Sequence, residues 1–354
     1  MKKQDYLLAG ATLICLLGFL LWAGDNLDGY KIRILNICAI NIVLALGLNI
    51  INGFTGLFSL GHAGFMAIGA YTSALLTMPA SAKQINFFIK PIVPWLAEVE
   101  LGFLPAMVIA VLVTVFFAAL IGIPVLRLRD DYLAIASLGF AEIIRIVLTN
   151  TQSLTNGALG LKSIPSYTNL TWSWGVAVVA IVFTILLIRS SYGMAFKAIR
   201  ENEIAAEAMG INLFRHKLMA FLIGSAMAGL GGALYANLLT SIEPGIFKFG
   251  FTFQILLIVV LGGLGSISGS IIAAIVITIL LEWLRFVESP MVIGAFTIPG
   301  ISGMRMVIFS ALLMMVIIFY QRGFMGSKEL SWSFFKGKYD QMKKLLGAAP
   351  KGEA

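Results

Sequence analysis

Residues 34–82 read ILNICAINIVLALGLNIINGFTGLFSLGHAGFMAIGAYTSALLTMPASA, 49 residues without a single Asp, Glu, Lys or Arg. As one α-helix rising about 1.5 Å per residue, the run would be about 75 Å long, more than twice the roughly 30 Å hydrocarbon core of a bilayer. A soluble protein is about 25% charged, whereas this chain is 12% charged and 59% hydrophobic. The run therefore reads as membrane-embedded, and it has to break. Asn52-Gly53-Phe54-Thr55-Gly56 concentrates the turn-forming residues, which leaves spans at about 34–51 and 57–78. Uncharged segments of this length exceed the 9–11 residues of a barrel strand, so the spans are helices.

Working outward, residues 7–24 follow a basic start and imitate a signal peptide. The segment is long enough to span and no A-x-A site follows, so an uncleaved first helix is expected. Downstream spans are expected at 103–126, 132–150, 172–188 and 218–239. A second over-long uncharged run, 249–281, is expected to break at the Gly-rich stretch 262–269. That leaves a short span at 251–261 and a further one at 270–284, and the last lies at 302–320. The expected fold class is all-α: a polytopic transmembrane helical bundle of about 10 spans over residues 1–320, then a basic tail at 321–354.

Ten spans put both termini on one side. With the N-terminus inside, 16 Lys and Arg fall on the cytoplasmic side and 8 outside, with Arg145 inside a span; without the tail the balance is 9 to 8. This bias places the N- and C-termini in the cytoplasm. The net charge of +8 thus reads as membrane orientation, not nucleic-acid binding. Cys15 and Cys38 lie in different apolar segments and read as packed small residues, with no disulfide implied. The chain carries no G-x-x-x-x-G-K-[ST] loop, no nucleophile elbow and no metal-binding cluster of carboxylates and histidines. It is expected not to be an enzyme and to hold no metal or cofactor.

One long polar stretch separates the apolar segments. Residues 189–217 read RSSYGMAFKAIRENEIAAEAMGINLFRHK, with eight charged residues and His216. Within it 203–209 suits a two-turn helix: Asn202 caps the start, Glu203 sits where the helix dipole favours negative charge, and Gly210 fits the left-handed position past the end. Ile204, Ala205, Ala208 and Met209 share an apolar face, with Ala206 and Glu207 completing the helix. Two readings stand: a surface that docks another protein, or a solvated helix lying on the membrane.

Inside the spans, Glu142 and Arg145 stand three residues apart near mid-bilayer and should point into the bundle or a watery cavity. They either meet a zwitterionic solute in transit or neutralise each other and fix packing; the second reading is the simpler. His62 is either part of a proton relay or a hydrogen-bonded residue at a Gly-rich helix start, and the sequence offers no chain of partners for a relay. Gly224, Ala228, Gly232 and Ala236 recur every four residues, beside Ser225, Gly229, Ala233 and Asn237, and permit close helix contact, internal or with another chain. Ser59, Ala63 and Ala67 form a similar strip. The Gly-rich breaks serve as hinges or as packing positions.

The run AIRENEIAAEAMGINLFRHKLMAF resembles the cytoplasmic EAA-type loop of ABC importer permeases, in the form found in branched-chain amino acid importers. Residues 48–71, 126–146 and 260–269 are similar to that family too, and the likeness covers most of 33–320. It points to the larger of the family's two permease subunits. The resemblance implies a heterodimer with a second permease and two ABC ATPase subunits below that use ATP and Mg. It also implies an external amino-acid-binding protein and a bacterial cytoplasmic (inner) membrane. Glu203, Ile204, Ala205, Ala206, Glu207, Ala208, Met209 and Gly210 would form the coupling helix. The implied function is import of leucine, isoleucine and valine by alternating access. Urea, short amides or other small carboxylates are the alternative cargo, and a stand-alone secondary transporter or channel is the alternative class.

Overall fold

The first long helix, α1 (Gly29–Asn49), has no polar face, and the fold puts it in the centre: every residue from Cys38 to Asn49 is buried. The structure, a computed structural model, describes residues 18–20, 22–127, 130–288, 291–293, 296–298, 303–304, 307–311, 314 and 326. After α1 come α2 (His62–Thr77), the short α3 (Ala80–Asn86) and α4 (Pro94–Ala97), α5 (Phe103–Val125), α6 (Asp130–Asn150) and α7 (Gln152–Thr155). Then follow α8 (Leu170–Arg189), α9 (Ser191–Glu201), α10 (Glu203–Ala208), α11 (Leu213–Leu239), α12 (Phe249–Gly262) and α13 (Ile267–Trp283). Helices α8, α11, α12 and α13 pack on α1, while α2 and α5 pack on α11. Helix α6 leans on α2 and leaves most of its surface outside.

Among the described residues, six helical segments are long and apolar enough to cross a membrane: Gly29–Phe54, Phe103–Val125, Tyr132–Asn150, Leu170–Arg189, Leu213–Leu239 and Ile267–Phe286. Of the ten expected spans, the third and eighth correspond to α2, 16 residues, and α12, 14 residues. At about 1.5 Å per residue neither reaches across 30 Å. The first expected span, 7–24, lies outside the described residues except at its end, where 18–20 and 22–24 are helical. The last, 302–320, and the tail, 321–354, lie mostly outside them.

The first break is displaced from its expected place. Asn52, Gly53 and Phe54 stay helical in a π-helical turn, Ile50–Phe54, that prolongs α1. The chain leaves the helix at Thr55–Gly61, and α2 starts at His62, five residues later than expected. Non-helical backbone at membrane depth survives only where protein groups satisfy it. Here Asn52 Oδ1 accepts from the Ser59 N–H at 3.2 Å, Ser137 Oγ from Leu60 N–H at 2.9 Å and Thr252 Oγ1 from Ala63 N–H at 3.0 Å. Ser59 thus belongs to the extended link and not to a helical strip with Ala63 and Ala67. The second break starts α13 earlier than expected, at Ile267, because Ser266 Oγ accepts from Gly269 N–H at 3.1 Å and caps it.

Helices α1 and α13 run antiparallel and are tied at three depths. Tyr30 Oη donates to Glu282 Oε1 at 2.8 Å, Asn41 Nδ2 to Thr278 Oγ1 at 2.8 Å, and Asn49 Nδ2 to Ser270 Oγ at 2.9 Å. Helices α11 and α2 approach until their backbones nearly touch. A Cβ on Gly232 would lie 2.1 Å from the Met66 carbonyl oxygen, and one on Gly69 would lie 2.2 Å from that of Gly229. The strip Gly224, Ala228, Gly232 and Ala236 is therefore internal to this chain, which the sequence left open.

The loops at the far end from residues 189–217 add what an all-α expectation omitted. A two-residue strand β1 (Leu161–Lys162) pairs antiparallel with β2 (Ser241–Ile242), and β3 (Met291–Ile293) pairs with β4 (Phe296–Ile298). Extended loops that meet can satisfy their backbone polar groups only in each other. At the same end Lys83 is fully buried and donates to the carbonyl of Leu96 at 2.9 Å and to that of Val99. Its desolvation pulls the ammonium below the usual lysine range, and Glu100 opposes that shift.

Candidate functional site

Helix α10 forms as its sequence dictates. Asn202 Oδ1 accepts from the Ala205 N–H at 3.0 Å at the N-terminus. At the other end Gly210 takes φ 83°, with Gly210 N–H bonded to the Glu207 carbonyl at 2.9 Å and Ile211 N–H to that of Ala206 at 3.1 Å. This pair of bonds closes a Schellman turn that only a residue tolerating positive φ can make without strain. The helix is one residue shorter than expected, with Met209 as its closing residue.

Ala206 alone packs inward, at 3% exposure, and Glu203 pairs with Lys217 at the foot of α11. Ile204 and Met209 project outward at 82% and 83% exposure, with Ala205, Glu207 and Ala208 also exposed. Two large apolar side chains held in full solvent contact on a doubly capped helix form an unfilled contact surface.

Directly before α10, Arg200 reaches back into the membrane helices. Its Nη1 donates to the carbonyl of Gly53 at 2.9 Å, in the π-helical turn, while Nη2 pairs with Glu201 at 2.7 Å. A Cβ on Gly265, in the second break, would lie 2.5 Å from Arg200 Nη1. Asn49 closes the circuit: it accepts from Gly265 N–H at 2.9 Å and donates to the Ser266 carbonyl at 2.9 Å and to Ser270 Oγ. Arg200 thus bonds the loop to the first break, and Asn49, at the end of α1, bonds the second. Sequence reasoning missed Arg200 and Asn49. The available signal was Asn49 itself, an amide in a run of 49 uncharged residues that must find polar partners when buried.

The other candidates fall elsewhere. Glu142 and Arg145 bond to each other, as a mutually neutralising pair would. They do not point into the bundle: the pair lies on the outer face of α6, at 45% and 22% side-chain exposure. Ala141 occupies the inward position against Gly64; Glu142 lies about 100° further round the helix, and Arg145, one turn on from Ala141, is the less exposed of the pair. His62 is buried at the start of α2, where its ring makes no hydrogen bond of ordinary geometry but lies near the Leu44 backbone. Its ring packs where Gly47 leaves room. The structure does not join His62 to the Glu142–Arg145 pair by any bond among the described residues.

Comparison with known proteins agrees with this architecture. Residues 30–320 match the family described as branched-chain amino acid transport system/permease component. The high-affinity branched-chain amino acid transport system permease protein LivM of Salmonella typhimurium is 35% identical over 72% of this chain and 64% of its own length. LivM of Escherichia coli is 36% identical over 72% of this chain and 63% of its own length. The chain thus spans a little under two thirds of these relatives. LivH of Salmonella typhimurium is less similar, 27% identical over 66% of this chain and 78% of its own length. No solved structure matches. The family is one of transporter components, not of enzymes, and with its buried apolar core, its broken helices and 291 of its residues matched, this chain belongs to the branched-chain amino acid transport system permease family.

Proposed function

We propose that this chain is one membrane-spanning subunit of an ATP-driven importer for leucine, isoleucine and valine in a bacterial cytoplasmic membrane. It crosses about ten times with both termini in the cytoplasm. It pairs with a second permease, receives solute from an external binding protein and is driven by two ATPase subunits. The observation that carries this reading is α10, a capped helix with Ile204 and Met209 bare, next to Arg200, which bonds the first membrane break and lies against Gly265 of the second. A partner gripping α10 pushes on Arg200, and the displacement reaches the Gly53 and Gly265 backbone together. Alternating access then follows as a shift between two packings of the broken helices. Reading α6 as the side that meets the second permease is supported by its exposed charge pair, which lipid tails would not solvate.

The test is ATP-dependent uptake of radiolabelled leucine by the assembled importer, with urea, acetamide and a short carboxylate as competing cargo. Glu207→Arg and Gly210→Trp each abolish uptake while leaving the chain inserted. Full uptake in both variants removes α10 from the coupling role. Uptake without ATP by the chain alone would replace the whole reading with that of a secondary transporter.

A further inference from the structure

At the end of the molecule far from residues 189–217, where α1 begins and α13 ends, a cavity of about 480 Å³ is lined by Tyr30, Arg33, Ile34 and Ile37 of α1 and by Glu282 and Arg285. Glu282 Oε1 accepts from Tyr30 Oη at 2.8 Å and from Arg285 Nη1 at 3.1 Å. Both bonds fall on that one oxygen. An ionised carboxylate accepts on both oxygens, and Glu282 Oε2 takes no hydrogen bond among the described residues. The Glu282 side chain is only 22% exposed, so an oxygen left without a donor there is costly and one supplied by a ligand is stabilising. Arg33 carries a fork of N–H donors. It makes no hydrogen bond or ion pair among the described residues, though Tyr235 of α11 lies within reach of its charge.

The two groups with capacity to spare are of opposite sign and line one cavity, beside two isoleucines. A simple anion would meet Arg33 and leave Glu282 Oε2 as it is. A simple cation would do the reverse. A molecule that carries an ammonium and a carboxylate meets both, and an aliphatic side chain on it covers Ile34 and Ile37. We propose that this cavity is a solute site for a zwitterionic amino acid with an aliphatic side chain, its carboxylate on Arg33 and its ammonium on Glu282 Oε2. Tyr30 and Arg285 are positioning residues, which hold Oε1 and leave Oε2 to the ligand. The volume is that of a small-molecule site, roughly 300–1,000 Å³. A zwitterionic lipid headgroup carries the same two charges, and the test separates it from the free amino acid. The ligand class follows from the paired charges; that the ligand is a solute on its way in rests on the reading under Proposed function.

Saturation-transfer NMR on the full chain in phosphatidylglycerol nanodiscs reads contact with the methyl groups of L-leucine, without ATP or partners. The wild type is expected to saturate them. Leucinamide, which lacks the carboxylate, and N-acetylleucine, which lacks the ammonium, are each expected to bind about tenfold more weakly or worse. Glu282→Gln and Arg33→Gln each weaken leucine by a similar factor, Arg33→Lys retains more than Arg33→Gln, and Ile37→Trp lowers binding with both charges intact. Nanodiscs that contain phosphatidylethanolamine leave leucine binding unchanged. The analogue series uses the wild type alone, so it decides even where a variant fails to insert. No saturation in the wild type, equal binding of leucine and its two analogues, undiminished binding in Glu282→Gln or Arg33→Gln, or loss of leucine to phosphatidylethanolamine would each overturn the assignment. Radiolabelled uptake separates this site from the function proposed above. ATP-driven leucine uptake without leucine binding here removes the site alone; uptake of urea or an amide in place of leucine removes the cargo and leaves the site standing on its binding.

Discussion

Arg200 spends one nitrogen on a backbone carbonyl 147 residues away. A hydrogen bond from a charged donor is worth about 1.5–3 kcal/mol. Arg200→Leu is therefore expected to cut ATP-driven uptake about tenfold or more at unchanged membrane level, measured by initial rates normalised to immunoblot. A wild-type rate would show that the contact transmits nothing. Asn49→Leu strips the Gly265 N–H of its acceptor inside the protein, a loss of about 1–3 kcal/mol, read as a lower thermal midpoint in detergent. Lys83 makes a pH prediction. Burial lowers its folded-state pKa, so just below the ordinary lysine range the folded chain has shed a proton that the unfolded chain keeps. Stability rises with pH across that window and falls again as pH drops through the folded value. The Lys83 part of that slope is expected to vanish in Lys83→Met, followed by thermal unfolding at stepped pH. Asn49 and Lys83 were both visible in the sequence as polar groups out of place. Their partners were not, because Ser266 is 217 residues from Asn49 and pairing across that distance is a product of packing.

Among the elements, α11 and α6 answer the same substitution in opposite ways. In α11, an Ala at Gly232 would place its Cβ 2.1 Å from the Met66 carbonyl oxygen, so one backbone has to move. Overpacking of this kind costs about 1–3 kcal/mol. In α6, Gly139 has nothing within 4 Å of a built Cβ, and Ala there favours the helix by about 0.5–1 kcal/mol. Gly232→Ala is expected to lower the detergent melting midpoint and Gly139→Ala to hold or raise it. A common response would mean that the α11–α2 contact is looser than described. The four-residue spacing in α11 announced a close contact, since small residues repeated on one face have little other use. Helix α10 was the most legible element of all, because Asn202 and Gly210 act through neighbours in the chain. The start of α2 was misplaced, because Ser59 and Leu60 are held out of the helix by Asn52, Ser137 and their geometry and not by their own propensities.

For the molecule as a whole, the outer face of α6 sets the largest question: a Glu142–Arg145 pair at membrane depth and on the surface. An unpaired charge at the centre of a membrane helix costs about 2.5–3.5 kcal/mol on insertion scales. Glu142→Leu and Arg145→Leu are each expected to lower the amount of inserted chain, and the double variant to restore it, by quantitative immunoblot of membranes. Restored level with restored uptake identifies a packing pair. Restored level with lost uptake places the pair on the solute's path. Equal levels in all four proteins would remove any membrane cost from the pair.

Local chemistry was enough to settle much of this protein. Hydrophobic run length made it a helical membrane chain, glycine clusters located both interruptions to within a few residues, and the capping residues drew α10 in nearly its final form. These features depend on residues close together in the chain, so periodicity and turn preference carry them. Packing decided the rest: that α1 lies at the centre, that the α11 strip is internal, that Glu142 and Arg145 face outward, and that Arg200 bonds the loop to the first break and Asn49 bonds the second. Each of these joins groups far apart in sequence, and burial of one against another is a property that no single stretch contains.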